Sequence, residues 1–479
     1  MDFRRTKIIC TIGPATASYP MLERLQAAGM NVARINMSHA DHAGAAQIIQ
    51  WIKTLNRKVR HPVAVMLDTQ GPEIRTGDVE HPIQLEPGEV VTLTVRGEVD
   101  VEHTSIHVNY QDLVTSVNVG DRITIDNGLI NFAVLEKNGP LLKCRVVDGG
   151  WLGSKRHVNL PGVRVNLPAI TEKDVKDIRF GMERDIDFVA LSFVRSADDI
   201  ARLRELLGPK AQNIKVIAKI EDQEGVSNVD AICRASDGIM VARGDLGIET
   251  NIAELPNVQR RIVRVCALHG RRSIVATHLL ESMIQNPIPT RAEVTDVANA
   301  IYEGADAMML SGETGIGKYP VRCVEQLDAI ARSSERYPGL GFERELTAPN
   351  DKQHIAAAAV SLAESIAAAG IVVITRRGIM ADLVTNCHPN TVPIYAFTNH
   401  SQTRRRLVLN RAVSSFRTSF SLEPEKTLQT AFAVLREREG LTPGDKVVVI
   451  SDVLATRRFD AIQIRTLEPV LVPESIQPV

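Results

Sequence analysis

The sequence predicts an α/β protein built on a (β/α)8 (TIM) barrel, with a small β-barrel lid inserted into it and an open α/β domain behind it. Three observations carry that prediction. Five apolar runs of strand length, at 32–38, 64–69, 216–221, 239–245 and 274–277, each stop at charged or hydroxyl residues. Strand and helix patterns alternate on both sides of a stretch punctuated by glycine and proline. Three strands precede that stretch and five follow it before residue 345, and eight strands close such a barrel.

Taken in order, residues 6–69 read as strand, helix, strand, helix, strand, with Gly29 marking the end of the first helix. From about residue 70 the pattern changes. Gly77, Pro82, Pro87, Gly88, Gly120, Gly128, Gly139 and Gly149 separate short Val/Thr/Ile-rich runs, the signature of a small all-β domain. Strands resume near 188–193, 215–220, 238–243, 273–277 and 307–311. The barrel therefore occupies 1–69 and 168–345, with the lid at 70–167. After Tyr337, Pro338 and Gly339 and a polar run ending at Asp351, the C-terminal domain spans 351–479. Its alanine-rich stretch at 355–374 contains Ser361, Glu364 and Ser365 and breaks at Gly370, so it reads as a soluble helix leading to a strand and not as a membrane span.

Composition narrows the function classes. A chain of 479 residues needs two to four domains, and 44% hydrophobic with 24% charged residues is ordinary for a globular protein. The 56 basic and 57 acidic residues leave a net charge of -1, which excludes the broad basic footprint of a nucleic-acid or membrane-surface binder. The cysteines at 10, 144, 233, 266, 323 and 387 form no C-x-x-C, which argues against a zinc site or disulfide framework and for a reducing, cytoplasmic home. The basic N-terminus is followed by only a few apolar residues before Gly13 and Pro14, unlike a signal peptide.

The chemistry is expected at one rim. Side chains two apart on a strand share a face, which groups Arg34 with Asn36 and Ser38, Lys219 with Glu221, and Arg243 with Asp245. Any one pair reads as an ordinary surface salt bridge, but five strands repeating the device point to an active site. Glu221 and Asp245 end consecutive strands, where two carboxylates would repel unless a hard divalent cation lay between them, and Lys219 beside them suits a transferring phosphoryl group. The segment at 311–319 contains G-x-x-x-x-G-K and nearly completes a phosphate-binding P-loop. It fails where Tyr319 replaces the small hydroxyl, which leaves a P-loop NTPase as the second reading. His39 reads as a polar strand-end residue and the run Arg404, Arg405, Arg406 as a solvated helix face.

Several motifs resemble the pyruvate kinase family, of bacterial type: MNVARINMSH at 30–39, LDTQGPEIRTG at 67–77, NLPG at 159–162, KIE at 219–221, MVARGDLG at 240–247, ATHLLESM at 276–283 and LSGET at 310–314. The match is dense to about Pro338 and looser beyond. The resemblance implies transfer of a phosphoryl group from phosphoenolpyruvate to ADP, giving pyruvate and ATP, with Lys219, Arg75 and Thr277 catalytic. It implies substrate contacts from Arg34, Lys219, Gly244, Asp245 and Thr277 and nucleotide contacts from Asn36, His39, Arg75 and Arg156. Glu221 and Asp245 would hold Mg2+ (or Mn2+), and Asn36, Ser38, Asp68 and Thr69 would hold K+, with Glu73 marking K+ dependence. The family further implies a homotetramer, regulated through the C-terminal domain. Three departures stand out: Arg156-His157 replaces the usual Lys-Gly, and His278-Leu279 replaces the common Gln-Met. The C-terminal sugar-phosphate loop reads Thr375, Arg376, Arg377, Gly378, with fewer hydroxyls, which favours a sugar monophosphate or AMP over a bisphosphate. A metabolite sensor without catalysis is the binding-only alternative, and the complete set of catalytic positions counts against it.

Overall fold

A computed structural model describes residues 3–95, 104–347, 350–451 and 461–468. Eight parallel strands, Lys7–Thr11, Val32–Asn36, Ala64–Asp68, Phe188–Leu191, Lys215–Ile220, Gly238–Ala242, Arg272–Ala276 and Ala307–Leu310, close into a barrel in chain order. Closure is made where Lys7 registers with Ala307 and Cys10 with Leu310. The strands read as nearly continuous apolar runs because both faces are covered, one by helices and one by the barrel interior. That interior holds Ile9, Met66, Phe188, Ile217, Met240, Ile274 and Met309, all buried. Val408 and Leu409, from the C-terminal domain, belong to the same cluster and complete the barrel's floor.

The insert leaves after the third strand and returns at the helix Glu172–Glu183. As expected of a small barrel, its described strands form a six-stranded sheet, from Val158–Asn159 through Arg122–Ile125, Ile130–Asn138, Leu141–Asp148 and Val90–Thr94 to Thr104–His107, whose two edges are joined by the bridges Arg75 to His157 and Thr76 to Val108, and a two-stranded sheet. Its own core is built around Phe132, Leu93 and Ile123. One carboxylate fixes both ends of the insert: Asp174 completes a capping box with Thr171 and also accepts from the backbone N–H groups of Gln70, at 3.0 Å, and Gly71, at 3.2 Å.

Behind the barrel, strands Val413–Arg417, Ile394–Thr398, Gly370–Ile374 and Lys446–Ser451 run parallel, and Ala461–Thr466 pairs antiparallel at the edge. The alanine-rich stretch is the helix Asp351–Ser365, capped by Asn350. Among the described residues no helix is long and apolar enough to cross a membrane.

The three arginines expected on a solvated face are instead a junction between domains. Successive residues of a helix point about 100° apart, so three in a row on the helix Ser401–Arg406 cannot share one face. Arg405 Nε donates to Asp187 Oδ1 at 2.8 Å, Arg404 reaches the carbonyls of Arg60 and Ser415, and the buried Arg406 donates to the Gln212 carbonyl. Asp187 is wholly buried beneath the fourth barrel strand, and its second oxygen accepts from the Val65 N–H at 3.0 Å. Removing Arg405 would strand a buried carboxylate. Arg405→Ala is expected to lower stability by about 2–3 kcal/mol in denaturant titration. An unchanged midpoint would show that the junction does not depend on this pair.

Candidate active site

Three strand ends bring two cations and two carboxylates into one buried network. Arg34 Nε donates to Asp68 Oδ2 at 2.6 Å, and its Nη1 donates to Thr11 Oγ1 at 2.9 Å. Lys219 Nζ lies 3.2 Å from Asp68 Oδ1 and 3.0 Å from Glu221 Oε1, and donates to Ser192 Oγ at 2.7 Å. Asp68 is 0% exposed and Lys219 only 8%. Burial works to lower the Lys219 pKa, yet Asp68 and Glu221 outweigh it and push it up to about 12, so the ammonium stays charged in a dry site. Burial would raise Asp68, but Arg34 and Lys219 hold it below the usual carboxylate range. Glu221 is pushed up to about 7, first by burial and then by the charge of Asp245, although Lys219 opposes the rise. Its Oε2 accepts from the Phe193 N–H at 2.7 Å.

Arg243 and Asp245 do not share a strand face as expected. The sixth strand stops at Ala242, and Arg243 opens the helix Arg243–Glu249. At two residues' spacing on a helix the side chains diverge. Arg243 is buried and turns away from the rim, donating to Asp296 Oδ1 at 2.8 Å and to the Thr277 carbonyl at 2.7 Å, while Asp245 faces His157, whose Nδ1 lies 3.5 Å from Oδ1. Thr277 and His278 both have left-handed backbone, with φ of 68° and 52°. A β-branched residue in that region costs about 1–3 kcal/mol and persists only where its surroundings impose it. Here the Arg243 clamp and the Gly244 N–H, which donates to Thr277 Oγ1 at 2.8 Å, do so. The Thr277 hydroxyl itself donates to the Ala276 carbonyl at 2.6 Å.

Asn36 registers directly with Asp68 on the neighbouring strand, and its Oδ1 accepts from the Ser38 N–H at 3.2 Å. Thr69 follows Asp68, and its hydroxyl accepts from the Ser192 N–H at 3.0 Å. These positions offer only oxygen donors, the set a hard cation takes. His39 is exposed in the turn beyond. Arg75 and Arg156 are not in the rim network: Arg75 Nε donates to Glu73 Oε2 at 2.7 Å and its Nη1 to the Lys155 carbonyl at 2.8 Å, and the exposed Arg156 lies 3.3 Å from Asp126. Both belong to the lid and its hinge. In the C-terminal domain Thr375 Oγ1 accepts from the Gly378 N–H at 3.1 Å, closing the loop before the helix Ile379–Asn386, with Arg376 and Arg377 exposed. The P-loop-like segment follows the eighth barrel strand, and its Glu313 is buried as an acceptor for the Ser311 and Leu280 N–H groups.

Sequence reasoning passed over Ser192, which joins Lys219 to the Thr69 carbonyl at 2.7 Å, and Thr11, which orients Arg34. Ser192 follows the apolar run of the fourth strand and is the same strand-end signal that marked the other strands. Among the described residues no three His, Cys, Asp or Glu side chains gather as a metal cluster. A pair such as Glu221 and Asp245 suits Mg2+, which binds through one or two carboxylates and keeps its remaining positions for substrate oxygens and water. The raised Glu221 pKa is the electrostatic strain that a cation between the two would relieve.

Residues 3–324 match the family model described as the pyruvate kinase barrel domain, and residues 353–464 match the pyruvate kinase alpha/beta domain. Plastidial pyruvate kinase 2 of Arabidopsis thaliana is 42% identical over 455 residues, which span 93% of this chain and 78% of its own length. Pyruvate kinase isozyme G, chloroplastic, of Nicotiana tabacum is 41% identical over 455 residues, with 93% and 80% covered. Pyruvate kinase of Geobacillus stearothermophilus is 42% identical over 463 residues, with 94% and 78% covered. The cytoplasmic home expected from cysteine usage is corrected by these matches, because similar relatives are named plastidial and chloroplastic; free thiols report only a reducing environment, not which compartment supplies it. Both the barrel and the domain behind it are thus accounted for, and the chain belongs to the pyruvate kinase family, the glycolytic enzymes that carry a phosphoryl group from phosphoenolpyruvate to ADP.

Proposed function

We propose that this transfer is organised around Lys219, and the observation that carries the reading is its buried, charged ammonium held between Asp68, Glu221 and Ser192. A phosphoryl group in flight spreads negative charge over its oxygens, so a fixed cation in a dry site stabilises it more than any mobile one. Lys219 already sits among oxygen partners and needs no reorganisation to meet another. Arg34, locked by Asp68 and Thr11, would hold the substrate's phosphate with it. The Gly244 and Asp245 backbone and Thr277 would hold the carboxylate end.

Thr277 would also guide the proton to the enolate left behind. Its hydroxyl proton points at the Ala276 carbonyl, so the proton must come through a water or after the hydroxyl turns. Glu221 and Asp245 would hold Mg2+ or Mn2+, which when bound neutralises phosphoryl charge as a Lewis acid. Asn36, Ser38, Asp68 and Thr69 would hold K+. Arg75 and Arg156, with Asn36 and His39, would meet the nucleotide as the insert closes and excludes water. The loop Thr375, Arg376, Arg377, Gly378 would take a sugar monophosphate or AMP, within a homotetramer.

If Lys219 acts on the transition state, Lys219→Met lowers kcat about a thousandfold while KM for phosphoenolpyruvate moves far less, as read in a lactate dehydrogenase-coupled assay. Near-normal turnover would remove Lys219 from the mechanism. Glu73 anchors Arg75, and a lysine there would repel that arginine and supply the charge K+ brings. Activity is expected to require K+ beside the divalent metal, and Glu73→Lys to relax the requirement; equal wild-type rates with and without K+ would refute the assignment. At subsaturating phosphoenolpyruvate a sugar monophosphate or AMP should activate more than fructose 1,6-bisphosphate, and the double change Arg376→Ala, Arg377→Ala should abolish the response. A bisphosphate as strongest activator would count against this loop reading.

A further inference from the structure

At the end of the barrel away from the rim, the segment after its last helix meets the C-terminal domain around a cavity of about 70 Å3. Arg5, Arg344 and Arg411 line it, together with His388, Glu335 and Glu343. Arg411 is only 5% exposed, and its Nε and Nη1 are fully buried without a hydrogen-bond partner. No ion pair joins Arg411 to a carboxylate among the described residues. Glu335 is already engaged: it accepts from the backbone N–H groups of Arg5, at 2.8 Å, and Thr6, at 2.6 Å, and from the Thr6 hydroxyl at 2.7 Å, and its Oε2 lies 3.6 Å from Arg5 Nε, while the rest of the Arg5 guanidinium donates to Asn390 and to the Glu335 carbonyl.

Three arginines and two glutamates line the cavity, and one of those glutamates, Glu335, is taken by Arg5. Burial, and then the charge of Arg411, lowers the Arg5 pKa below the ordinary guanidinium value. His388, 3.8 Å from Asp306, is driven down to about 3, chiefly by burial, with Asp306 opposing and Arg411, Arg272 and Arg5 adding to the drop, so its ring is neutral. Arginine cannot shed its proton to escape such a site. A buried charge is tolerated when it is paired, and a buried N–H when it finds an acceptor. Water would meet the second need alone. An anion meets both, and the cavity exceeds the ~15 Å3 that one water requires.

We propose that this cavity binds a small inorganic oxyanion of the phosphate or sulfate class, held by the unpartnered Arg411 with Arg344, while Arg5, paired with Glu335, adds charge at the wall. Guanidinium groups match the oxygens of such anions in geometry as well as charge. Arg5 and Arg344 come from the barrel and its tail and Arg411 from the C-terminal domain, so the anion staples the two together. The cavity has the size of an inorganic ion, and none of its lining comes from the exposed loop at Thr375 to Gly378.

The test is thermal unfolding of the full chain in inorganic phosphate against chloride at equal ionic strength, with glucose 6-phosphate as a third arm. Phosphate should raise Tm by about 2 °C or more over chloride. Arg411→Met should lose the increment, and Arg344→Ala, at the exposed edge, should weaken phosphate affinity about tenfold while leaving kcat unchanged. Crystals soaked in selenate should show an anomalous peak in the cavity. Equal phosphate increments in wild type and both variants, an increment with glucose 6-phosphate that depends on Arg411, or water alone in the cavity of soaked crystals would each overturn the proposal. Should Arg411→Met fail to fold, Arg344→Ala and the selenate crystal still decide.

Discussion

Charge held in a dry place at the mouth of the barrel is the constraint on which the rest of the site depends. Asp68 receives Arg34 on one oxygen and Lys219 on the other, and Lys219 is shared in turn with Glu221 and Ser192. Removing any one member would leave another buried and unmatched, which is far costlier than losing an exposed pair. Parallel strands meet the requirement economically. Each contributes residues at or just around its end to the same ring, and closure in chain order fixes which residues become neighbours. The left-handed backbone at Thr277 is a second, smaller concession of the same kind, imposed by Arg243 from behind.

Much of this was legible in the sequence because both signals are local. An apolar run that stops at a charge marks the end of a buried strand, whatever the chain does afterwards, and so the residues of the rim could be named before their distances were known. What failed was inference about direction. Arg243 has the spacing of a strand residue relative to Asp245, but the strand ends one position earlier, and a helix sends the two side chains apart. The arginine run at 404–406 carries no mark of burial in itself. Only the placement of Asp187, more than two hundred residues away in the chain, turns it into a junction. Ser192 was missed for a plainer reason: serine after an apolar run is too common a pattern to stand out.

The insert shows the same division. Glycine and proline punctuation identified it as a β segment, yet the feature that ties it to the barrel is Asp174, a residue beyond its far end that caps a helix and accepts from two backbone N–H groups at its near end. A single carboxylate thus sets how both connections leave the barrel. The two lid arginines remain with lid and hinge partners instead of the rim network, consistent with a site assembled from two bodies.

Val408 and Leu409 give the architecture a consequence of another sort. A barrel of this kind ordinarily fills its interior with its own strands, but here the lowest layer of that interior is supplied by a turn from the next domain. The boundary visible along the chain is therefore not a boundary of the hydrophobic core. Cutting between the two would leave an unsealed apolar hole at the base of the barrel, so the barrel and its neighbour depend on each other to close one core.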